Sequence, residues 1–313
     1  MCQKLPDDFQ QKLDSFKAFV QQESTRHSIG WDHIINMDEV PLTFDIPMSR
    51  SISEKGEKTI NVRTTGHEKS HFTVVLACCA DGSKLPPMII FKRKTMPKEA
   101  FPPGVVIQTN VKGWMDESMM GVWLDRCYAK RPDGFFHRNK ALLVMDSMRA
   151  HITEGVKKKI KKVNSVPVII PGGMTKMLQP LDIAVNRSFK AVLRRQWEQW
   201  MTDGQHSFTT TGRMRHATFK DVSTWIVEAW ESITVATIQA GFKKACLISQ
   251  DTDDSDNGED ANNADDDDDD PDDATDDAEM VTELPDAVAQ LFASDTEDED
   301  FDGFQSENDD EDN

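Results

Sequence analysis

Ala141-Leu142-Leu143-Val144-Met145-Asp146 decides the fold class. An unbroken apolar run that stops at a carboxylate reads as a central strand buried on both faces, which belongs in an α/β sheet covered by helices. Upstream, HIINMD (33–38) reads as a second short buried strand, also ending in a carboxylate at Asp38. HFTVVLACC (71–79) is rich in β-branched residues, Asp81-Gly82 signals a turn, and PMIIFK (87–92) returns as the next strand. KTINVRT (58–64) alternates like a strand, and 105–108 is a short further run. Downstream, a basic helix is expected over 153–162 and a last strand over 166–170. Helical spacing predicts helices over 7–26, 116–130, 181–201, 219–232 and 233–244. In the first of these Phe9, Leu13, Phe16, Phe19 and Val20 share a face. Strands first, then alternating helix and strand, make a mixed sheet flanked by helices.

Charge divides the chain. The total is 36 basic against 55 acidic residues, net −19. Residues 251–313 hold 30 of the acids and no Lys or Arg, which leaves 1–250 at net +11. A basic body suits a polyanion such as nucleic acid, although a solvated surface with a small Lys excess explains the charge equally well. ADDDDDDPDDATDD cannot bury apolar surface, so a disordered acidic tail is expected from 251. Its apolar island at 281–292 suits an amphipathic helix on a partner. Five cysteines, an odd number with no CxxC pair, argue for a reducing compartment. No apolar run approaches the ~20 residues of a membrane span.

Three aspartates stand where α/β sheets place their chemistry. Asp38 and Asp146 follow strands whose C-terminal ends would meet if the strands are parallel neighbours, and Asp182 opens a helix just after Pro180. Taken singly, each reads most simply as a cap. Together they would repel one another unless cations sat between them. Hard oxygen ligands suit Mg²⁺ or Mn²⁺, and two such ions about 3.5–4 Å apart serve phosphodiester chemistry.

Three blocks make the pattern specific: Asn36-Met37-Asp38-Glu39-Val40-Pro41, Asp146-Ser147-Met148-Arg149-Ala150-His151, and Leu178-Gln179-Pro180-Leu181-Asp182-Ile183-Ala184-Val185-Asn186-Arg187-Ser188-Phe189-Lys190. In this order, with 35 residues between Asp146 and Asp182, the chain resembles the pogo and Tigger branch of the DDE transposases over roughly 1–245. The resemblance implies an RNase H-like fold, a two-metal Mg²⁺ or Mn²⁺ site on Asp38, Asp146 and Asp182, DNA cleavage and strand transfer, and descent from a mobile element. The organisation it suggests is an N-terminal helix (1–30), a DDE domain (31–202), a C-terminal helical extension (203–250) and the acidic tail (251–313). Transposases of this branch carry helix-turn-helix domains ahead of the core, and here one helix precedes the first motif. Sequence-specific DNA recognition is therefore expected to be absent or supplied by another chain.

Nucleic-acid contacts are expected at His151, at Lys157, Lys158 and Lys159 of the basic helix, and at Asn186 and Lys190, one and two helical turns after Asp182. Each has a plain alternative: a helix-start histidine bonded to backbone, or a solvated polar face. Lys157 to Lys162 also reads as a nuclear-import signal. Glu39, on the other side of the strand from Asp38, is not expected to be a ligand. Three functional readings stand: a Mg²⁺-dependent DNA endonuclease or transposase core; a domesticated, non-catalytic nuclear DNA-binding protein; and an interaction module whose acidic tail recruits basic partners such as histones.

Overall fold

The computed structural model describes residues 8–46, 64–67, 69–132, 139–212 and 214–248. The strand expected at 58–64 lies outside them apart from Thr64, as does the whole acidic segment with its 281–292 island. Six strands, β1 (Ile34–Thr43), β2 (His71–Cys79), β3 (Met88–Lys92), β4 (Val106–Asn110), β5 (Ala141–Met145) and β6 (Ser165–Ile169), form one sheet in the order β4-β3-β2-β1-β5-β6. β1 and β3 each run antiparallel to β2, while β4 is parallel to β3, β5 to β1 and β6 to β5. The sheet is mixed, as the sequence led us to expect.

Side-chain alternation gives the sheet two covered faces. Ile34, Val40, Leu42, Phe72, Val74, Leu76, Leu142 and Val144 point to one apolar cluster. There they meet α1 (Phe9–His27), α5 (Asn186–Asp203), α6 (Phe219–Ser232) and α7 (Val235–Lys244). Ile35, Met37, Val75, Ala77, Leu143 and Met145 point the other way, against α2 (Glu117–Arg126) and α3 (Glu154–Lys162). Every residue of β5 is fully buried, and each such Leu or Val contributes about 1.5–3 kcal/mol. The segment expected as a helical extension thus shares its core with the sheet. Lys84 fastens it there, its Nζ donating to the carbonyls of Trp230, Glu231 and Ile233 at the end of α6. On α1, Phe16 and Val20 are buried as expected, but Phe19 is exposed.

Two expectations about the strand and helix carrying the aspartates need correction. Asp38 does not end a strand: β1 continues to Thr43, through Pro41. Pairing with β5 stops at Asn36, whereas pairing with β2 runs on to Thr43. The Ile34 carbonyl accepts from Ala80 N of the β2 side, so even-numbered residues of β1 turn their backbone groups toward β2. Odd-numbered ones, Pro41 included, face the side that β5 has left, where a missing N–H costs no ladder bond. The helix expected over 181–201 begins instead as a π turn, Leu181–Val185, preceded by a short α4 (Thr175–Leu178) that periodicity did not reveal.

Candidate metal centre

Two buried amides tie together the segments that carry the three aspartates. Asn36, in β1, has no exposed surface. Its Nδ2 donates to the Val144 carbonyl of β5 at 3.0 Å and to Gln179 Oε1 at 3.1 Å, and its Oδ1 accepts from Leu181 N at 3.1 Å. Gln179, equally buried, donates from Nε2 to the Met37 carbonyl at 3.0 Å, one of the groups β5 leaves unpaired. This network joins the residues beside Asp38, Asp146 and Asp182. Such a set is stable only if every member is satisfied, and that requirement fixes the register of the three segments. A polar residue inside each apolar stretch, Asn36 and Gln179, was the available signal, and its role was missed.

Asp182 sits in the π turn, a feature frequent at functional sites. A Cβ on Gly241 would stand 2.8 Å from the Pro180 carbonyl, so α7 can press against this turn only through a glycine. Asn186, the first residue of α5, spans the gap to β1. Its Nδ2 donates to Asp38 Oδ2 and to Asp182 Oδ1, both at 2.8 Å. Asp38 is buried. Burial, together with the charges of Asp182, Glu39 and Asp146, pushes its carboxyl well above the ordinary range, against the Asn186 hydrogen bond. Lys190, one turn further along α5, is half-buried. Burial lowers its ammonium pKa while Asp182 and Asp38 hold it up.

Asp146 has a different environment. Its Oδ1 accepts from Met148 N at 3.0 Å and from His151 Nδ1 at 2.7 Å. The other ring nitrogen of His151, Nε2, donates to Glu39 Oε1 at 2.8 Å. Burial alone would lower the imidazolium pKa, but the Glu39 charge and the two carboxylate hydrogen bonds overcome it and push it up to about 11. Burial alone would raise Asp146, and the bonds from His151 and Met148 outweigh it, leaving this carboxyl below its ordinary value. His151 is therefore a buried cation linking the two strands. Glu39, which the sequence set aside, is its partner from the face of β1 opposite Asp38. Glu39, Asp146 and His151 bring one ligand atom each within 4.8 Å of one another, but a cation there would have to displace the imidazole proton.

Asp38, Asp146 and Asp182 do not form such a group of three within 4.8 Å among the described residues, but each has an oxygen open to a hard cation. Asp38 Oδ1, Asp146 Oδ2 and Asp182 Oδ2 accept no hydrogen bond from the described residues, and the crowding at Asp38 is what a cation relieves. Among the expected nucleic-acid contacts, His151 and Asn186 turn instead to the carboxylates, because both ring nitrogens and both amide hydrogens are already used. Lys159 is held by the Gly121 carbonyl and Asp125, and Lys157 by Glu154. Lys158, Lys161 and Lys162 are exposed, with no ion pair among the described residues.

Residues 69–242 match the family described as the DDE superfamily endonuclease. The human protein "Pogo transposable element with KRAB domain" is 34% identical over 251 residues, covering 80% of this chain and 41% of that protein. The human "Pogo transposable element with ZNF domain" is 27% identical over 195 residues, covering 62% of this chain and 14% of that protein. This chain therefore spans well under half the length of the curated relatives it matches. Among solved structures, the "Mos1 transposase paired-end complex with left transposon end" superimposes with a TM-score of 0.51 at 13% identity, covering 78% of this chain and 62% of that one. That likeness is one of fold, and it makes the six-stranded mixed sheet RNase H-like. With the matched family spanning the sheet from β2 to α7, and with pogo relatives aligned over most of its length, the chain belongs to the DDE superfamily endonucleases, in the pogo/Tigger type of transposase.

Proposed function

We propose that this chain cleaves DNA with Mg²⁺ or Mn²⁺ held by Asp38, Asp146 and Asp182, in a nuclear setting where DNA is its substrate. The observation that carries the reading is the Asn186 bridge between Asp38 and Asp182, with Asp146 near enough for its charge to act on Asp38; each of the three carboxylates has an oxygen that accepts no hydrogen bond from the described residues. A pair of bound divalent cations would supply activation of water or a 3′-hydroxyl and charge stabilisation of the leaving oxygen. The chain's own part is to fix the ligands. The Asn36–Gln179 network sets their spacing, Asn186 holds Asp38 and Asp182, and His151 holds Asp146. Lys190 adds positive charge beside them for an incoming phosphate. Supercoiled plasmid is expected to be nicked in Mn²⁺, to stay intact in excess EDTA, and to be nicked again when metal is restored. Equal nicking rates with and without metal overturn the reading.

A second reading, a non-catalytic DNA-binding protein that retains the fold, draws on the charge division: net +11 over 1–250, and 30 acidic residues without a Lys or Arg over 251–313. The acidic segment suits basic partners such as histones. Under either reading Lys158, Lys161 and Lys162 serve as phosphate contacts. Replacing all three with Ala is expected to reduce the slope of log affinity against log salt by about 2–3, at ~0.9 per duplex contact. An unchanged slope removes α3 from the DNA surface.

A further inference from the structure

Asn186 stands apart from the other polar groups of the centre in one respect. Its Nδ2 donates to Asp38 Oδ2 and Asp182 Oδ1, while its Oδ1 is buried with no hydrogen-bond partner. The amide cannot turn over to satisfy that oxygen, because the turn would aim a carbonyl at two carboxylates. An unpaired buried acceptor lowers stability, and an apolar residue of the same size would not carry that penalty. The two hydrogen bonds that its nitrogen gives to carboxylates offset that cost, and they do something besides stabilise the fold.

Its two contacts show what. Two carboxylates this close need a brace, and the usual brace is a cation from Lys or Arg. Such a brace would neutralise the charge that attracts a metal ion and would compete with it for the same oxygens. An amide braces them without charge. It holds one oxygen of each carboxylate and leaves Asp38 Oδ1 and Asp182 Oδ2 free of hydrogen bonds from the described residues. The π turn places Asp182 four residues before Asn186 at a distance that lets one nitrogen reach both partners. Lys190 lies further along α5 and makes no ion pair among the described residues, so it does not take over the brace.

We propose that Asn186 is the positioning residue that presets Asp38 and Asp182 as a chelating pair for a divalent cation, by bracing them with a neutral donor. This rests on the metal-dependent reading above. The partners that orient metal ligands commonly carry ~10–100-fold of metal affinity.

The test uses the whole chain and Mn²⁺ alone, with binding followed by calorimetry and thermal unfolding measured in EDTA. Asn186→Leu fills a similar volume without the donor or the unpaired oxygen. It is expected to remain folded in EDTA, with a somewhat lower unfolding temperature because buried Asp38 Oδ2 loses its donor, while its Mn²⁺ dissociation constant rises ~10–100-fold. Asn186→Ser, which retains a single donor, is expected to fall between the two. Wild-type affinity in a folded Asn186→Leu chain overturns the proposal and leaves the metal reading intact. If the wild type itself binds no Mn²⁺, the metal reading falls and this one with it. If neither variant folds, Asn186 is a structural residue and the positioning role is overturned.

Discussion

Asp146→Asn is expected to slow metal-dependent nicking by ~10³-fold, about 4 kcal/mol of barrier, while the fold survives. Asparagine keeps a carbonyl oxygen where Asp146 Oδ1 accepts from Met148 N and His151 Nδ1, so the local turn after β5 retains both bonds. What it loses is the negative charge and the second oxygen, which accepts no hydrogen bond from the described residues. An amide NH₂ would then face a cation, which is worse than an empty place. The expected loss exceeds the ~10–100-fold of an outer-shell change because a ligand itself is removed. His151 keeps Glu39 as its counter-charge and stays in place. Nicking and unfolding are read on the same preparation. A rate within tenfold of wild type, from a folded variant, removes Asp146 from the reaction.

The variant separates ligand from scaffold because Asp146 is so unlike its two companions, and that difference was hidden in the sequence. The position of Asp146 was legible, since a carboxylate that follows a run such as Ala141–Met145 falls at the end of a strand whatever its neighbours are. The environment was not. Asp146 is drawn down by His151 and Asp38 is pushed up by burial, through contacts that span more than a hundred residues of sequence, such as His151 to Glu39 and Asn186 to Asp38. Strand alternation correctly put Glu39 on the face opposite Asp38. Nothing in alternation says that a histidine 112 residues later will fill that face.

The same limit explains where the fold was misread. Strand β2 was read to the residue because it is rich in β-branched residues and an Asp-Gly turn follows its C-terminal end. Strand β1 was cut short at Asp38 because its apolar run stops at that carboxylate, whereas the strand goes on through a proline, Pro41. It is tolerated only because β5 ends at Met145 and leaves that side of β1 open, a fact of pairing and not of local sequence. The π turn at Leu181–Val185 escaped because apolar spacing is read at the α-helical period, and one widened turn shifts the count without breaking it. Asn36 and Gln179, polar residues in otherwise apolar stretches, were the visible anomalies that pointed to the centre's frame.

Asp38→Asn is expected to move stability and function in opposite directions. In the folded chain the Asp38 carboxyl lies above its unfolded value, through burial and then the charges of Asp182 and Glu39. The folded state therefore binds that proton more tightly than the unfolded one. The sign follows: stability from this group is greatest at pH below the ordinary carboxylate value, and it is lost as pH rises toward the raised folded value. At neutral pH without metal, wild type bears this penalty and the asparagine variant does not, while its carbonyl still accepts from Asn186 Nδ2. In EDTA at pH 7 the variant is expected to unfold ~2–8 °C above wild type, about 1–2 kcal/mol for a domain of this size. The gap should narrow as pH falls into the carboxylate range. Adding Mn²⁺ should reverse the order, since a cation that binds only the native site stabilises wild type by mass action and finds a ligand missing in the variant. Nicking by the variant should fall by ~10³-fold or more, beyond the loss from any outer-shell change. A variant less stable than wild type in EDTA would mean that the three carboxylates already hold one another without strain. The case for a cation among them would then lose its electrostatic ground, whatever the nicking assay showed.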